Sequence, residues 1–398
     1  MYLVINSGSS SIKFKIFQLS SDNLVLFAEG LAERIGVDGN LIIKYNDKNF
    51  NYKEELQNHD KAVALILNRL LELGIIKDYD DITAIGSRVV HGGQQIKESV
   101  IIDEKILNII TECIRLAPLH NKGALVAISA FRKLLPTTPQ IACFDTSYHQ
   151  TIEDTKYLYP VPKQWYSNLE IRKYGFHGIS YQYIVEKMAD TLKKSIDDVN
   201  LVICHLGNGS SACCVKNGKS YDTTMGFTPL AGLMMGTRCG DIDPSIIEFV
   251  AKEQQLSVSE VTAILNQNSG LLGISGVSSD MRDIIKKMDE GDRDAKIAFE
   301  MFTDRISQTI VKFLNNFQLT KLDGIVFTAG IGENSHRVRE RVIEKILLVD
   351  TKIDNSRNKA DYNDVKLISS DESSLAIYAC RTNEEEMIAR EINFLLKK

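Results

Sequence analysis

The sequence predicts an α/β protein made of two similar halves, each with a phosphate-binding hairpin. Residues 2–17 read YLVINSGSSSIKFKIF, and a stretch of the same construction, LVICHLGNGSSACCVK, returns at 201–216. Each has a short apolar strand, a turn of Gly, Ser and Asn, and a second strand. Such turns present several backbone N–H groups and small hydroxyls together, which suits a phosphate oxygen. Two copies about half a chain apart therefore indicate a duplicated domain, with a nucleotide held between the halves.

Length and composition are those of a globular protein with two domains. At 398 residues the chain exceeds the size that one hydrophobic core usually supports. Apolar residues make up 44% of it and charged residues 25%, both ordinary values. A net charge of −5 gives no reason to expect a nucleic acid or an anionic membrane as partner. No apolar run approaches the ~20 residues that span a bilayer.

The cysteines favour a reducing, cytoplasmic compartment. The chain has seven, an odd number, and its N-terminus runs straight into an apparent strand without a basic and apolar leader. Cys204, Cys213 and Cys214 lie close in sequence, but no CxxC pair accompanies them. Buried structural thiols are therefore expected in preference to a metal site.

The remaining elements alternate between strands and helices, which is typical of α/β proteins. Short apolar runs that end in polar or glycine-rich residues predict strands at Ile82–Ile85, Ile141–Phe144, Leu201–His205 and Gly324–Thr328. Helical spacing of apolar residues predicts helices over Asp60–Leu73 and around 299–317. A domain boundary is expected near 150–165, where KYLYPVPKQW is rich in proline and aromatic residues.

The C-terminal segment is predicted to be a helix with Ile388, Ile392 and Leu395 on one face. Thr382 and Glu385 fit a capping box at its start. A helix so late in the chain could pack on either domain, and the residues alone leave that choice open.

Phosphate binding is expected from the hairpins, because the chain has no GxxxxGK[ST] P-loop. Lys13 directly follows the turn, so its ammonium could reach the same phosphates as Ser9 and Ser11. Lys15 is expected to be a solvated edge lysine. The second turn, HLGNG, could instead be an ordinary hairpin turn that binds no phosphate. A third glycine-rich turn, TAGIGEN at 328–334, follows a strand, where α/β sheets often place a nucleotide.

Two arginines and one aspartate are the strongest candidates for chemistry. Arg88 and Arg238 stand in small or apolar surroundings and need an anionic partner, either an internal carboxylate or a ligand carboxylate or phosphate. Asp145 ends the strand IACF, where it could be a functional group, an Asx turn or a helix cap. Five of seven histidines lie in compact polar–glycine contexts, but no zinc spacing occurs.

Together these segments resemble the acetate kinases over essentially the whole chain. The resemblance rests on the order and number of the motifs NSGSSSIKF, SRVVHGG, APLHN, FDTSYH, RKYGFHG, HLGNGSS, DTTMGFTPLAGLMMGTRCGDIDP, SGLLGISGVSSDMR, TAGIGENS and TNEE. It implies two duplicated ribonuclease-H-like domains, the actin-like ATPase fold, around a nucleotide cleft. The implied domains are 1–150 and 151–383, with the C-terminal helix, 384–398, packing on the first. The second domain would bind nucleotide and join two copies in a homodimer.

The implied reaction is reversible, direct in-line transfer of a phosphoryl group from ATP to acetate, which gives acetyl phosphate and ADP. Mg²⁺ would be the cofactor, with Mn²⁺ as an alternative. A carboxylate nucleophile is already ionised near neutral pH, so Asp145 would orient a Mg²⁺-bound water or the substrate rather than remove a proton. Arg88, Arg238 and His177 would spread the charge of the moving phosphoryl group.

Carried over position by position, the resemblance implies a set of site residues. The catalytic positions would be Asp145, His177 and Arg238. The substrate would be held through its carboxylate and its methyl group by Arg88, Val90, Leu119 and Pro229. The pair associated with Mg²⁺ would be Asn6 and Glu384. The nucleotide would be bound by Ser9, Ser11, Lys13, His205, Leu206, Gly207, Asn208, Gly209, Asp280, Met281, Arg282, Gly330, Ile331, Gly332, Glu333 and Asn334.

Several positions depart from the commonest pattern of that family. Ile179 and Tyr181 stand where Thr and His are usual, Ala231 replaces a frequent Glu, and Cys239 replaces a frequent Ser. None of the four is assigned to phosphate or carboxylate. Catalysis is therefore expected to be retained, whereas the acyl-chain preference stays open.

Three other functions remain as alternatives. A propionate kinase of the same family is the closest, because one methylene changes specificity by only ~1–3 kcal/mol in an apolar pocket; Val90 suggests a small pocket and favours acetate. A nucleotide-dependent binding switch would have no need of the two arginines Arg88 and Arg238. A sugar kinase would need a base for a neutral hydroxyl and a polar pocket, where Val90, Leu119 and Pro229 are apolar.

Overall fold

A computed structural model describes residues 1–20 and 23–398, except for the side chain of Leu119. The chain divides into two compact units, one formed by Met1–Gln150 with Asn383–Lys398 and the other by Thr151–Thr382. We call them unit 1 and unit 2. None of the described helices has both the length and the apolar character needed to cross a bilayer.

The described strands fall into one sheet in each unit. Unit 1 contains β1 (Tyr2–Ser7), β2 (Ser11–Ser20), β3 (Asn23–Glu33), β4 (Asn40–Tyr45), β5 (Lys48–Tyr52), β6 (Ala84–Val89), β7 (Val100–Ile101) and β8 (Gln140–Phe144). Unit 2 contains β9 (Leu201–Leu206), β10 (Ser210–Lys216), β11 (Lys219–Thr223), β12 (Gly324–Thr328), β13 (Val365–Leu367) and β14 (Ile377–Cys380).

The helices of unit 1 come from both ends of the sequence, and those of unit 2 come from the middle of the sequence. In chain order the helices are α1 (His59–Glu72), α2 (Glu104–Glu112), α3 (Pro118–Leu134), α4 (Asp154–Tyr157), α5 (Lys163–Leu169), α6 (Gly178–Leu192), α7 (Ser245–Glu253), α8 (Val258–Gln267), α9 (Gly270–Ser275), α10 (Met281–Asp289), α11 (Arg293–Leu314), α12 (Ala329–Asn334), α13 (His336–Glu344), α14 (Asn355–Lys359) and α15 (Glu384–Lys397).

The two sheets share one strand arrangement, which confirms the predicted duplication. In unit 1 the strand order is β5-β4-β3-β2-β1-β6-β8-β7, and in unit 2 it is β11-β10-β9-β12-β14-β13. The first strand of each hairpin, β1 or β9, pairs antiparallel with its successor and parallel with β6 or β12. A third parallel strand, β8 or β14, follows on the far side. The carboxyl ends of three parallel strands therefore share one edge in each sheet, where α/β proteins place functional groups.

Most predicted elements begin and end within a few residues of the observed ones. The first predicted helix is α1, shifted by one residue, and its apolar positions are buried against the sheet of unit 1. The later apolar pattern forms α11, which buries Phe299, Phe302 and Ile306 in the core of unit 2. The third glycine-rich segment was predicted to be a turn, but it forms the short helix α12 directly after β12.

Helix α15 belongs to unit 1 and packs against β1 and β6. Gly86 on β6 makes the close approach possible, since a Cβ there would lie 2.5 Å from Ile388 Cγ2 and 2.7 Å from Ile392 Cδ1. The predicted capping box of α15 is wrong. The cap is Asn383, whose side chain accepts a hydrogen bond from the Glu386 N–H, because the Thr382 hydroxyl is bonded to Ser180 instead.

Candidate active site

The carboxyl edge of the parallel strands in unit 1 brings together three of the predicted site residues. Arg88 lies on β6, Asp145 directly follows β8, and Glu384 begins α15. The Arg88 guanidinium donates to Asp145 in a bidentate pair, with Nε–Oδ1 3.0 Å and Nη2–Oδ2 2.7 Å. Its Nη1 lies 3.4 Å from Glu384 Oε2. Of the two partners considered for Arg88, the structure thus contains the internal carboxylate, and Asp145, which lies in the turn after β8, forms an ion pair with Arg88.

This cluster holds more negative charge than its arginine neutralises. Burial by itself would lower the pKa of Arg88, but Asp145 and Glu384 outweigh it and raise that pKa above its ordinary value. Burial raises the pKa of Glu384, Arg88 opposes that shift, and the nearby Asp145 and Glu385 add to it, so that the pKa lies above its ordinary value. Because like charges in a partly desolvated site disfavour ionisation, the surplus carboxylate charge suits a bound cation.

The donor set at this edge fits Mg²⁺ in its chemistry. Asn6 lies at the end of β1, one residue beyond the Ile5–Ser87 pairing of β1 with β6, so that it stands level with Arg88. Asn6 and Glu384 offer amide and carboxylate oxygens, the hard ligands that Mg²⁺ prefers. In the described part of the chain no group of three or more His, Cys, Asp or Glu is arranged around a metal position. Mg²⁺ commonly takes only one or two protein carboxylates and completes its shell with water and phosphate.

The two lysines of β2 converge on one carboxylate of α15. Lys13 Nζ lies 2.6 Å from Glu385 Oε1, and Lys15 Nζ lies 3.2 Å from Glu385 Oε2. The prediction that Lys15 is a solvated lysine is wrong, because its side chain is only 14% exposed, whereas that of Lys13 is 51% exposed. Burial by itself would raise the pKa of Glu385, but Lys15 and Lys13 outweigh it and lower that pKa. The Lys13 ammonium is therefore held in place by Glu385, while half of the Lys13 side chain remains exposed to solvent.

The turn between β1 and β2 is fixed by close contact with α3. A Cβ on Gly123 would lie 2.9 Å from the backbone of Gly8, so only glycine allows α3 to approach the turn. The Gly8 N–H donates to the Ser11 carbonyl at 2.9 Å, and His59 Nε2 lies 3.0 Å from the Gly8 carbonyl. Ser9 is exposed and Ser11 is half-buried in this fixed turn.

A cavity of about 760 Å³ in unit 2 collects many of the residues predicted to bind nucleotide. Its volume lies in the range of small-molecule sites. Three separate segments contribute to its lining: the turn after β9, the start of α10, and α12 with the start of α13. The predicted residues among the lining are Gly207, Asn208, Asp280, Met281, Arg282, Gly330, Ile331 and Asn334.

Ser9, Ser11 and Lys13 of the same predicted set belong to unit 1, and five predicted residues of unit 2 do not line this cavity. His205 and Leu206 are buried in β9, and Gly332 is buried in α12. Gly209 lies at the far side of the turn, where it faces His177 and Arg238. Glu333 is absent from the lining, and its carboxylate accepts hydrogen bonds from two backbone N–H groups.

Glu333 links the strained first residue of α12 to the segment just before α15. Its Oε1 accepts hydrogen bonds from the N–H groups of Ala329, at 3.0 Å, and Thr382, at 2.9 Å. Ala329 has φ +63°, a left-handed conformation that is unfavourable for a residue with a Cβ. The neighbouring carbonyls of Gly332 and Glu333 accept hydrogen bonds from the buried Arg339 guanidinium at 2.9 and 2.8 Å. The helix that lines the cavity is thus rigidly placed.

Replacing Glu333 with Gln should stabilise the protein at neutral pH. Burial raises the pKa of Glu333 above that of an unfolded chain, although two backbone donors oppose the shift. Ionisation is therefore disfavoured in the folded state, and this penalty applies above the folded-state pKa and vanishes below the unfolded-state pKa. Glu333→Gln keeps an acceptor for both N–H groups and removes the charge. We expect a higher free energy of unfolding at pH 7.5 and no difference near pH 4, measured by chemical denaturation.

Glu300→Gln is the matched control with the opposite sign. Burial opposes ionisation of Glu300 too, but hydrogen bonds from Arg341 and Lys345 outweigh it and lower its pKa. Its stabilising contribution is therefore present at neutral pH and disappears as the pH falls. Glu300→Gln should destabilise the protein at pH 7.5 only. Equal losses at both pH values for Glu333→Gln would contradict the electrostatic explanation.

His177 and Arg238, both predicted to be catalytic, converge on the turn after β9. A Cβ on Gly209 would lie 3.5 Å from both Arg238 Nη1 and His177 Nε2. The rings of His177 and His205 stack with centroids 4.1 Å apart. Arg238 Nη1 donates to the Pro229 carbonyl at 3.3 Å, and no described carboxylate forms an ion pair with it. Burial lowers the pKa of Arg238, but a guanidinium stays charged, so this half-buried cation is available to an anionic ligand.

The three residues predicted to line the methyl pocket are distributed over both units. Val90 follows β6 and Leu119 lies in α3 of unit 1, where the Leu119 side chain is outside the described part. Pro229 belongs to unit 2 and is half-buried. Their common role in one pocket stays a prediction.

Some residues around the site were not predicted from the sequence. Glu385 forms ion pairs with both Lys13 and Lys15. Two serine hydroxyls contact the stacked histidines: Ser211 Oγ lies 2.8 Å from His177 Nδ1, and Ser180 Oγ lies 2.9 Å from His205 Nδ1. One signal could have found part of this set, because Tyr181 departs from the usual residue of the family, and its hydroxyl is bonded to Ser211.

Comparison with known proteins gives full-length matches. The sequence model of the acetokinase family matches residues 1–390. The chain is 54% identical to the acetate kinase of Mesoplasma florum and 51% identical to that of Mycoplasma mycoides, and each match covers 100% of both chains. The acetate kinase of Clostridium novyi is 46% identical over 100% of this chain and 98% of that protein.

Solved structures agree with the sequence matches. The acetate kinase of Porphyromonas gingivalis superposes with a TM-score of 0.93 at 34% identity, covering 99% of each chain. The propionate kinase of Francisella tularensis superposes with a TM-score of 0.91 at 39% identity, covering 98% of each chain. The predicted duplicated fold and the resemblance are thereby confirmed, and the chain belongs to the acetokinase family.

Proposed function

We propose that this protein is an acetate kinase, which transfers the γ-phosphoryl group of ATP to acetate and runs reversibly. The observation that carries the proposal is the full-length identity of 54% to a protein named acetate kinase. In the reaction an acetate oxygen attacks the γ-phosphorus, the bond to the β–γ bridging oxygen breaks, and its electron pair leaves with ADP. No proton has to move, because acetate is ionised at neutral pH.

The chemistry of unit 1 supports binding of acetate and Mg²⁺. Arg88 would bind the acetate carboxylate, since its guanidinium is suited to bidentate pairing and already holds a carboxylate, that of Asp145, in this geometry. Asp145 would orient the substrate or a Mg²⁺-bound water rather than act as a base. Asn6 and Glu384 would hold the Mg²⁺. When bound, the ion would neutralise charge on the ATP phosphates and polarise the phosphoryl group.

The chemistry of unit 2 supports ATP binding and stabilisation of the transferred group. The 760 Å³ cavity has room for the adenosine portion between the turn after β9 and helix α12. Arg238 and His177 converge on Gly209, and together they would stabilise the charge on the equatorial oxygens of the phosphoryl group. Ser9, Ser11 and Lys13, in unit 1, would contact phosphate from an exposed turn and a lysine whose side chain is half exposed.

The experiment that tests the proposal is an acyl-hydroxamate assay. Purified protein with Mg²⁺-ATP is given formate, acetate, propionate or butyrate, and hydroxylamine traps any acyl phosphate. We expect hydroxamate to form fastest from acetate, with ADP released in equal amount. ADP release without hydroxamate from any acid would instead favour a nucleotide-dependent switch, and omission of Mg²⁺ should abolish the signal.

Propionate is the second candidate substrate. The propionate kinase of Francisella tularensis is 39% identical to this chain, and a single methylene is a weak discriminator in an apolar pocket. A faster hydroxamate rate with propionate in the same assay would keep the mechanism and change the preferred acid.

We further propose that the protein is a cytoplasmic homodimer joined through unit 2. Helices α7 and α8 carry exposed apolar side chains, with Phe249 67% and Val258 62% exposed, and exposed apolar patches often mark interfaces. The seven cysteines, all among the described residues, form no disulfide with one another, which is compatible with a reducing compartment. Light scattering after gel filtration should give twice the chain mass of 44.6 kDa.

A further inference from the structure

The first turn of α6 contributes two side chains, Ser180 and Tyr181, to the surroundings of the histidine pair of unit 2. His177 precedes the helix with φ +60°, and Tyr181 follows one turn later, with its N–H donating to the His177 carbonyl at 3.1 Å. Residues four apart on a helix lie on the same face. Ser211 approaches from β10, where it pairs in register with His205. The sequence thus places a phenol, an alcohol and an imidazole side by side.

A continuous hydrogen-bonded chain connects these groups. Tyr181 Oη lies 2.5 Å from Ser211 Oγ, and Ser211 Oγ lies 2.8 Å from His177 Nδ1. Tyr181 and Ser211 are fully buried. A phenol is a stronger hydrogen-bond donor than an aliphatic alcohol, and burial raises the pKa of Tyr181 well above its ordinary value, so that the phenol keeps its proton at any working pH.

We propose that Tyr181 and Ser211 are positioning residues that fix the proton of the His177 imidazole on Nε2. The phenol donates to Ser211 Oγ, and the serine hydroxyl donates in turn to His177 Nδ1. With Nδ1 occupied as an acceptor, the ring proton resides on Nε2, which faces Gly209 and Arg238. A donor at that position would meet the anionic phosphoryl group. This inference rests on the proposed role of His177 in the transfer.

The neighbouring imidazole shows the same arrangement. His205 Nδ1 lies 2.9 Å from Ser180 Oγ, and Ser180 Oγ lies 2.8 Å from Thr382 Oγ1. The rings of His177 and His205 stack at 4.1 Å with an interplanar angle of 22°. Two positive charges at that distance would repel each other, which favours neutral rings. In each ring the hydroxyl group then donates to Nδ1, and the single ring proton resides on Nε2.

The test compares Tyr181→Phe and Ser211→Ala with the wild type. We expect each to lower kcat roughly 10-fold, as loss of an outer hydrogen-bond partner of a functional imidazole commonly does, with KM for ATP and acetate changed less than twofold. Because both act through one chain, the double variant should lose no more than either single variant. Tyr378→Phe is the matched control. Tyr378 lies beside Gly324 at the start of β12, whereas the residue that pairs with His205 is at the end of that strand. The variant should keep the wild-type kcat.

A direct readout is the ¹⁵N NMR spectrum of the protein labelled at histidine, with His177 assigned from the spectrum of His177→Gln. In the wild type we expect a protonated Nε2 and an unprotonated Nδ1. In Tyr181→Phe the population should shift toward protonated Nδ1, because Ser211 is then free to accept. Should Tyr181→Phe not fold, Ser211→Ala gives the same readouts.

The outcomes separate this inference from the proposed function. Full activity of His177→Gln would refute the role of His177 and the inference with it. A slow His177→Gln together with wild-type kcat and an unchanged ¹⁵N spectrum in Tyr181→Phe and Ser211→Ala would overturn the inference alone.

Discussion

Replacing Arg238 with Ala should lower kcat roughly 10³-fold or more, the range seen for arginines that stabilise a phosphoryl-transfer transition state. Arg238 is half-buried, has no ion-pair partner among the described residues, and faces the Gly209 turn beside His177. Keeping such a cation desolvated is unfavourable, and binding a phosphoryl group that carries developing negative charge recovers that free energy. The effect should therefore fall on kcat rather than on binding.

Steady-state kinetics in both substrates measure this effect. Arg238→Lys should restore only part of kcat, because an ammonium does not reproduce the planar, forked donors of a guanidinium. Arg305→Ala serves as the matched control: Arg305 is a half-buried arginine of unit 2 that donates to the Asp241 carbonyl at 3.1 Å. A change confined to KM in Arg238→Ala would mean that Arg238 binds substrate and transition state equally well.

The sequence was informative about Arg238 and less so about Arg88. Both stand in apolar surroundings, so each was expected to need an anion. Arg88 finds one in Asp145, which is 57 residues away along the chain. Such a pairing depends on which strands become neighbours, here β6 and β8. The residues around Arg88 do not indicate which strand will lie beside its own. The strand ends themselves were predictable, because apolar runs stop where polar residues begin.

Local rules failed where tertiary contacts compete for the same groups. Alternation along β2 correctly put Lys13 and Lys15 on one face, but solvation of Lys15 was wrong because Glu385 of α15 packs over that face. The capping box was wrong for the same reason: the Thr382 hydroxyl is bonded to Ser180, and Asn383 caps the helix instead. Both errors involve α15, whose position in unit 1 the residues alone left open.

Replacing Glu384 with Gln should have the second large effect, a fall in kcat of roughly 10²-fold or more with a higher Mg²⁺ concentration needed for half-maximal rate. Alteration of the outer partners of a metal site commonly changes affinity or activity by about 10–100-fold, and a proposed ligand beside the proposed substrate arginine is expected to lie at or above that range. Glu384 Oε2 is 3.4 Å from Arg88 Nη1. Gln keeps the shape and one oxygen but removes the charge that attracts the cation.

Titration of the rate with Mg²⁺ and then Mn²⁺ distinguishes a ligand from a merely structural residue. For a ligand, the half-saturating metal concentration rises and a high concentration recovers part of the rate. For a structural partner of Arg88, the metal curve stays in place while KM for acetate rises. Glu386→Gln is the matched control, since Glu386 lies in the same first turn of α15 and its Oε1 accepts from Arg390 at 2.6 Å. An unchanged metal curve in Glu384→Gln would remove this residue from the Mg²⁺ site and leave Asn6 as the remaining proposed ligand.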